Sequence, residues 1–174
     1  RNTEPISIAI VGCGLAGAAV AWQAIQRGWQ ITVIDRAEQE SCSRVAAGLV
    51  TPITGGRAAA SWQWELFFPA AQEFYQRIEQ TTGHQFWQEQ PAVRVFLSEE
   101  EKDTFESRWN CEPETGTTPS VQPFVPRSPS ILDMPFSAAQ MRPAARLLTN
   151  SYLDATKGYL KRQSSLIEKD LDCD

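Results

Sequence analysis

Histidine is nearly absent from this chain: His84 is the single one. A histidine-built metal centre is therefore excluded, and His84, just after Gly83, reads as a loop or capping residue. Cysteine is sparse as well. Cys13, Cys42, Cys111 and Cys173 are scattered, with no C-x-x-C spacing. Neither a zinc site nor a disulfide framework is expected, and all four read as free thiols of a reducing cytoplasm. No apolar run is long enough to cross a bilayer. An excess of basic charge is missing too: 16 Lys and Arg against 21 Asp and Glu leave a net charge of −5. That balance disfavours nucleic acid or an anionic membrane as the main partner. Arg1 to Pro5 has no apolar core of a secretory signal, so a cytoplasmic location is expected. Internal repeats are absent. What remains is an ordinary globular composition, and 174 residues are enough for a sizeable core.

The informative stretch is the first thirty-five residues. Ile6 to Val11 is apolar, as a strand buried on both faces requires. It runs into Gly12-Cys13-Gly14-Leu15-Ala16-Gly17, a G-x-G-x-x-G. An alanine-rich helical stretch follows from Ala18 to Arg27, and Gly28 stops it. Ile31 to Ile34 reads as a second buried strand with Asp35 at its end, 23 positions after Gly12. Strand, glycine turn, helix and distal acid together form a dinucleotide-binding fingerprint. Gly12 permits a tight turn, Gly14 leaves the backbone open to a pyrophosphate, and Gly17 lets the helix lie close to the strand. The helix N-terminus offers unpaired N–H groups to phosphate. Asp35 can accept hydrogen bonds from both ribose hydroxyls of an adenosine, and its charge would repel a 2′-phosphate. Arg36 either packs on the adenosine or is a solvated charge. FAD and NAD proteins share this motif, so the residues alone leave both open.

Downstream, Ser43-Arg44-Val45-Ala46-Ala47-Gly48-Leu49 is a second small-residue turn with room for something flat against the backbone. The glycine fingerprint, Asp35-Arg36 and this turn together resemble the FAD-dependent D-amino-acid oxidase superfamily. That group spans D-amino-acid, glycine and sarcosine oxidases and the flavin domain of a tRNA wobble-uridine modifying enzyme. The resemblance covers the first third of the chain well and the remainder loosely. It implies FAD rather than NAD. It places the diphosphate at Gly12, Cys13, Gly14, Leu15, Ala16 and Gly17, and the adenosine ribose at Asp35, with Arg36 beside it still open between the two readings above. Ser43, Arg44, Ala46, Ala47, Gly48 and Leu49 would line the cofactor toward the flavin. It further implies oxidation of a small-molecule amine or amino acid by hydride transfer to flavin, with hydrolysis of the resulting imine. No catalytic residue is identifiable. An NAD-dependent dehydrogenase and a non-catalytic chain that needs a second half are the alternatives.

For the rest, a helix is expected over Ala58 to Gln80, with Trp64, Phe67, Ala71, Phe74 and Ile78 as its buried stripe and Pro69 kinking or dividing it. Gln85 to Gln90 and Pro91 to Ser98 read as strands of an antiparallel sheet with one wet face. Glu99 to Trp109 reads as a helix whose leading acids are solvated. Arg57 and Arg94 are possible anion contacts, with a solvated arginine the ordinary reading of each. Glu112 to Pro129 reads as a loop, and Ile131 to Arg142 as one or two strands. A last helix is expected over Ala155 to Asp170, capped by Asp154, with Leu160, Ile167 and Leu171 on one face. No further apolar run supplies a third parallel strand. The expected fold is therefore α/β: a Rossmann-type FAD-binding βαβ unit, its sheet incomplete, with an inserted mixed or antiparallel substrate-domain segment. The expected divisions are 1–82 for cofactor, 83–149 for substrate and 150–174 for a returning helix. The chain is expected to be the N-terminal part of a protein about twice its length, with a missing C-terminal half as partner.

Overall fold

The computed structural model describes residues 6–38, 40–109, 118–126 and 133–171. In chain order the first elements are β1 (Ser7–Val11), α1 (Leu15–Gln26), β2 (Gln30–Asp35), α2 (Cys42–Val45), β3 (Leu49–Val50), β4 (Ile53–Thr54) and β5 (Ala59–Ala60). Next come α3 (Trp64–Thr82), β6 (Trp87–Glu89), β7 (Ala92–Val95) and α4 (Glu99–Arg108). The last are β8 (Ser120–Pro123), β9 (Ala138–Arg142), β10 (Ala145–Leu147), α5 (Thr149–Arg162) and β11 (Leu166–Glu168). They form two compact units: Arg1–Gly48 with Gln76–Phe86 and Leu148–Asp174, and Leu49–Tyr75 with Trp87–Leu147. The first unit thus gives up the chain at Gly48 rather than at residue 82, and α3 contributes to both.

The first unit is a parallel sheet of order β1-β2-β11. β1 pairs with β2 from Ser7↔Gln30 to Val11↔Ile34, and β11 with β2 from Leu166↔Val33 to Glu168↔Asp35. A third parallel strand therefore exists, against the expectation that none would. It was hidden because Leu166-Ile167-Glu168 is too short to show as an apolar run and lies within the span expected to be helical. The last helix is α5, which begins at Thr149 and ends at Arg162, so Asp154 sits in its middle rather than at its cap. Lys161 and Arg162 occupy the last turn, where cations suit the helix dipole.

Neither β1 nor β2 is buried on both faces. Ile10 and Val33 are buried, while their neighbour Val11 on the opposite face is 72% exposed. Alternation is what a sheet covered on one side gives. Ala18, Ala21 and Trp22 of α1 and Tyr152, Leu153 and Leu160 of α5 are all buried, and α1 packs on β1, β2 and α5. Trp22 Nε1 donates to Thr156 Oγ1 at 2.9 Å, which satisfies the indole inside this core.

The second unit holds three small sheets: β3-β10-β6, the hairpin β4-β5, and β7-β9-β8, antiparallel throughout. Its core gathers Ile53, Ala58, Phe96, Phe105, Val121, Ala139 and Met141. Several expectations change here. Ala59–Ala60 is a strand, so the helix starts only at Trp64, and it runs through Pro69 undivided. Phe67 is 47% exposed and Phe68 is buried instead, because the stripe follows 64, 68, 71, 75 and 78 on a 3.6-residue period. After Pro91, Phe96 is buried and Leu97 is 75% exposed. Pairing to β9 fixes that register, which alternation alone leaves free. β8 replaces part of the expected loop. Residues 112–117 and 127–129 of that loop, with Cys111 and Cys173, lie outside the described residues.

The acid run that opens α4 is not merely solvated. Ser98 Oγ accepts from Glu101 N at 3.1 Å, and Glu101 Oε2 accepts from Leu97 N at 3.0 Å, a reciprocal cap. Arg94 is neither solvated nor free for an anion: it pairs with Glu101 Oε1 at 2.6 Å and donates to Gly55 O at 3.1 Å. The N–H of Leu97 and the Arg94 guanidinium together hold the Glu101 carboxyl below its usual range.

Candidate functional site

The glycine turn joins β1 to α1, and each glycine there answers a steric demand. Gly12 has φ +90°, a region other residues rarely adopt. A Cβ on Gly17 would stand 1.9 Å from Gly12 O, so only glycine lets the helix close on the turn. Gly14 differs from expectation. A Cβ there would stand 2.7 Å from Ser43 Oγ, so what the missing side chain admits is first the Ser43 hydroxyl. That hydroxyl accepts from Leu15 N at 3.0 Å, one of the N–H groups that a helix start leaves without an internal partner. The second small-residue turn is thus tied to the first.

Asp35, at the end of β2, faces the same turn. Cys13 N donates to its Oδ1 at 2.8 Å, and Ala37 N to its Oδ2 at 3.1 Å. Lys157 Nζ of α5 also donates to Oδ2, at 2.5 Å. Three donors on a carboxylate with about four lone-pair sites leave about one for a ligand, so Asp35 cannot take two ribose hydroxyls in this arrangement. Burial works against its charge. The Lys157 hydrogen bond, the Cys13 N–H, the Lys157 charge and the Ala37 N–H outweigh that and hold its carboxyl below the ordinary range.

Cys13 turns inward: its side chain is buried, and that burial pushes the thiol up to about 11. Only its backbone is available at the turn. Cys42 is a free, exposed thiol. Arg36 is exposed and paired with Glu38. Arg44 is committed to α5, donating to Asp154 Oδ1 at 2.7 Å and Asn150 Oδ1 at 3.3 Å. Ala46 O accepts from Thr149 Oγ1 at 3.3 Å, and Gly48 has φ +68°. Leu49 opens the second unit, in β3 opposite Arg146.

A cleft of about 210 Å³ opens at the C-terminal ends of the parallel strands, lined by Val11, Gly12, Ile34, Asp35 and Arg36 and closed by Lys169 to Leu171. Ligands of open α/β sheets bind at that end. Lys157, Lys169 and Asp170 are the members that sequence reasoning missed. No motif marks them, since tertiary pairing alone brings α5 and β11 to β2. Among the described residues no group of His, Cys, Asp or Glu could hold a metal ion. No described helix is long and apolar enough to cross a membrane.

Residues 7–149 match the family described as FAD dependent oxidoreductase. The chain belongs to that family. Among curated proteins, a tRNA 5-methylaminomethyl-2-thiouridine biosynthesis bifunctional protein of Albidiferax ferrireducens is 43% identical over 60 residues, 30% of this chain and 10% of the relative. An uncharacterised oxidoreductase of Bacillus subtilis is 39% identical over 56 residues, 32% of this chain and 15% of the relative. Among solved structures, glycine oxidase from Geobacillus kaustophilus superposes with a TM-score of 0.63 at 20% identity, over 95% of this chain and 46% of that one. Iminodiacetate oxidase from Chelativorans sp. BNC1 gives 0.61 at 18% identity, over 93% and 46%. The chain spans less than half the length of these relatives. At such identity the superpositions establish the fold alone.

The residues fit the family's cofactor. The turn around Gly12 is open, with nothing within 4 Å of an added Cβ, and the α1 N-terminus points at it. An anionic carboxylate, that of Asp35, stands beside the turn, and FAD has no 2′-phosphate for it to repel.

Proposed function

We propose that this chain holds FAD within an oxidoreductase that oxidises a small-molecule amine or amino acid. The observation that carries the reading is Asp35 anchored to the N–H of Cys13, which joins the ribose-reading acid to the phosphate-binding turn in one hydrogen bond. The α1 N-terminus, with Gly12, Gly14 and Gly17, would take the diphosphate, and Leu15 and Ala16 would offer backbone only. Asp35 would accept one ribose hydroxyl, with Arg36 at the cleft mouth. Ser43 would hold the two turns together, and Arg44, Ala46, Ala47, Gly48 and Leu49 would continue toward the flavin.

FAD, when bound, supplies a two-electron acceptor for the hydride on the substrate carbon that bears the amine. The chain's contribution is to bind and orient that cofactor. An imine left by the substrate is hydrolysed by water to a carbonyl compound and a free amine. The first unit is read as the cofactor part and the second as substrate-side. The remainder of the substrate site comes from polypeptide beyond this chain. The net charge of −5 disfavours nucleic acid as the main partner, and a cytoplasmic setting suits the free thiols.

Anaerobic addition of amines and amino acids to the flavin-loaded protein tests this reading. It expects one class of them to bleach the visible flavin bands with formation of the matching carbonyl product. Bleaching by NADH alone, with every amine and amino acid inert, would overturn it.

A further inference from the structure

α5 ties together the second turn, α1 and Asp35. Thr149 donates to Ala46 O, Asn150 and Asp154 bind Arg44, Thr156 takes the indole of Trp22, and Lys157 reaches Asp35. Asn150, Asp154 and Lys157 follow one another at intervals of four and three, so these three share a side of the helix. Four come to the second turn or to α1. The fifth, Lys157, touches the acid that reads the ribose. Both partners are largely shielded, with side chains 14% and 12% exposed, so their attraction is weakly screened.

We propose that Lys157 is a positioning residue for nucleotide binding: it fixes the Asp35 carboxylate against the Gly12–Gly17 turn and keeps it charged in the half-buried cleft. This rests on the reading that Asp35 holds the ribose. The physical argument is a division of labour. A carboxylate this shielded loses hydration. Backbone donors from Cys13 and Ala37 steer it, but they bring no net charge. Lys157 brings the compensating charge and takes up one side of Oδ2, which leaves the free lone pair on Oδ1, toward the glycine turn.

Other charges around Asp35 do not replace Lys157. Arg36 is paired with Glu38. Glu168, opposite Asp35 in the sheet, is paired with Lys161. Lys169 and Asp170 line the cleft with opposite signs, and Lys169 N donates to Asp35 O at 3.0 Å. Arg44 is held by Asp154. The buried thiol of Cys13 is neutral at ordinary pH, being pushed up to about 11.

The sign of the pH effect follows. Lys157 favours the ionised carboxylate, so removing it raises the pH at which Asp35 takes up a proton. Binding that needs the anion is then lost earlier as pH falls. The experiment measures FAD and ADP affinity of the whole protein from pH 4 to 8 for the native form, Lys157→Met, Lys157→Arg, Asp35→Asn and the Met/Asn double variant. Lys157→Met is expected to weaken both ligands about tenfold at pH 7 and to move the acid limb of binding upward. Lys157→Arg is expected to restore both. Once Asp35 is Asn, losing Lys157 should cost little more. Native affinity and an unmoved acid limb in Lys157→Met would overturn the proposal, as would equal losses in the Met and Arg variants. If Lys157→Met does not fold, the Arg variant decides: it must keep the native acid limb. Should Asp35→Asn bind both ligands like the native protein, the ribose reading itself fails.

Discussion

At the scale of single residues, the site is governed by what a missing side chain admits. Gly17 leaves room for a carbonyl, Gly14 for a hydroxyl, and Gly12 for a backbone angle. The sequence showed all three as a spacing, but it could not tell which neighbour fills each space. Ser43, not a phosphate, stands against Gly14. The strongest steric demand is at Gly17, where a Cβ would meet Gly12 O at 1.9 Å. Backbone cannot yield there as a flexible side chain can. Gly17→Ala is therefore expected to lower stability by about 1–3 kcal/mol, the usual range for forced overpacking, and to weaken flavin binding as well. Thermal unfolding with and without FAD checks both. A variant with native midpoint and native flavin affinity would mean that the turn is looser than described. Asp35 was equally legible as an acid at the right distance. Lys157 was not: a lysine within a helix carries no mark of its partner 122 residues away.

At the scale of elements, long and strongly patterned stretches were readable. β1, α1, β2 and α4 lie close to where periodicity and punctuation put them. The misreadings fall on short strands and on face. β11 has three residues, fewer than the alternation needed to tell strand from helix. Its pairing to β2 is decided by contacts with residues more than a hundred positions earlier. Phe67 and Phe68 differ by one step on α3, and only packing chooses between them. Helix ends, by contrast, are local. Ser98 and Glu101 form a reciprocal cap at α4, and Glu101 also carries Arg94. Ser98→Ala should cost about 1 kcal/mol, typical of a lost N-cap. Denaturant unfolding measures it. The loss is expected to leave FAD affinity unchanged, because α4 belongs to the second unit, whereas the Gly12–Gly17 turn and Asp35 belong to the first.

At the scale of the whole molecule, the three-stranded parallel sheet places its ligand-facing loops at one end, as open α/β sheets do. α5 and β11, from the last quarter of the chain, complete a unit that the first quarter begins. Family membership rests on residues 7–149, while the chain spans 46% of the solved glycine oxidase it resembles. The account's central claim is that the opening strand, turn and helix grip FAD. Its most direct measurement is the identity and stoichiometry of the nucleotide released when the purified protein is denatured. The account predicts FAD, about one per chain, with the visible flavin bands present beforehand. Release of NAD, or of no nucleotide from a protein that also fails to take up added FAD, would contradict it.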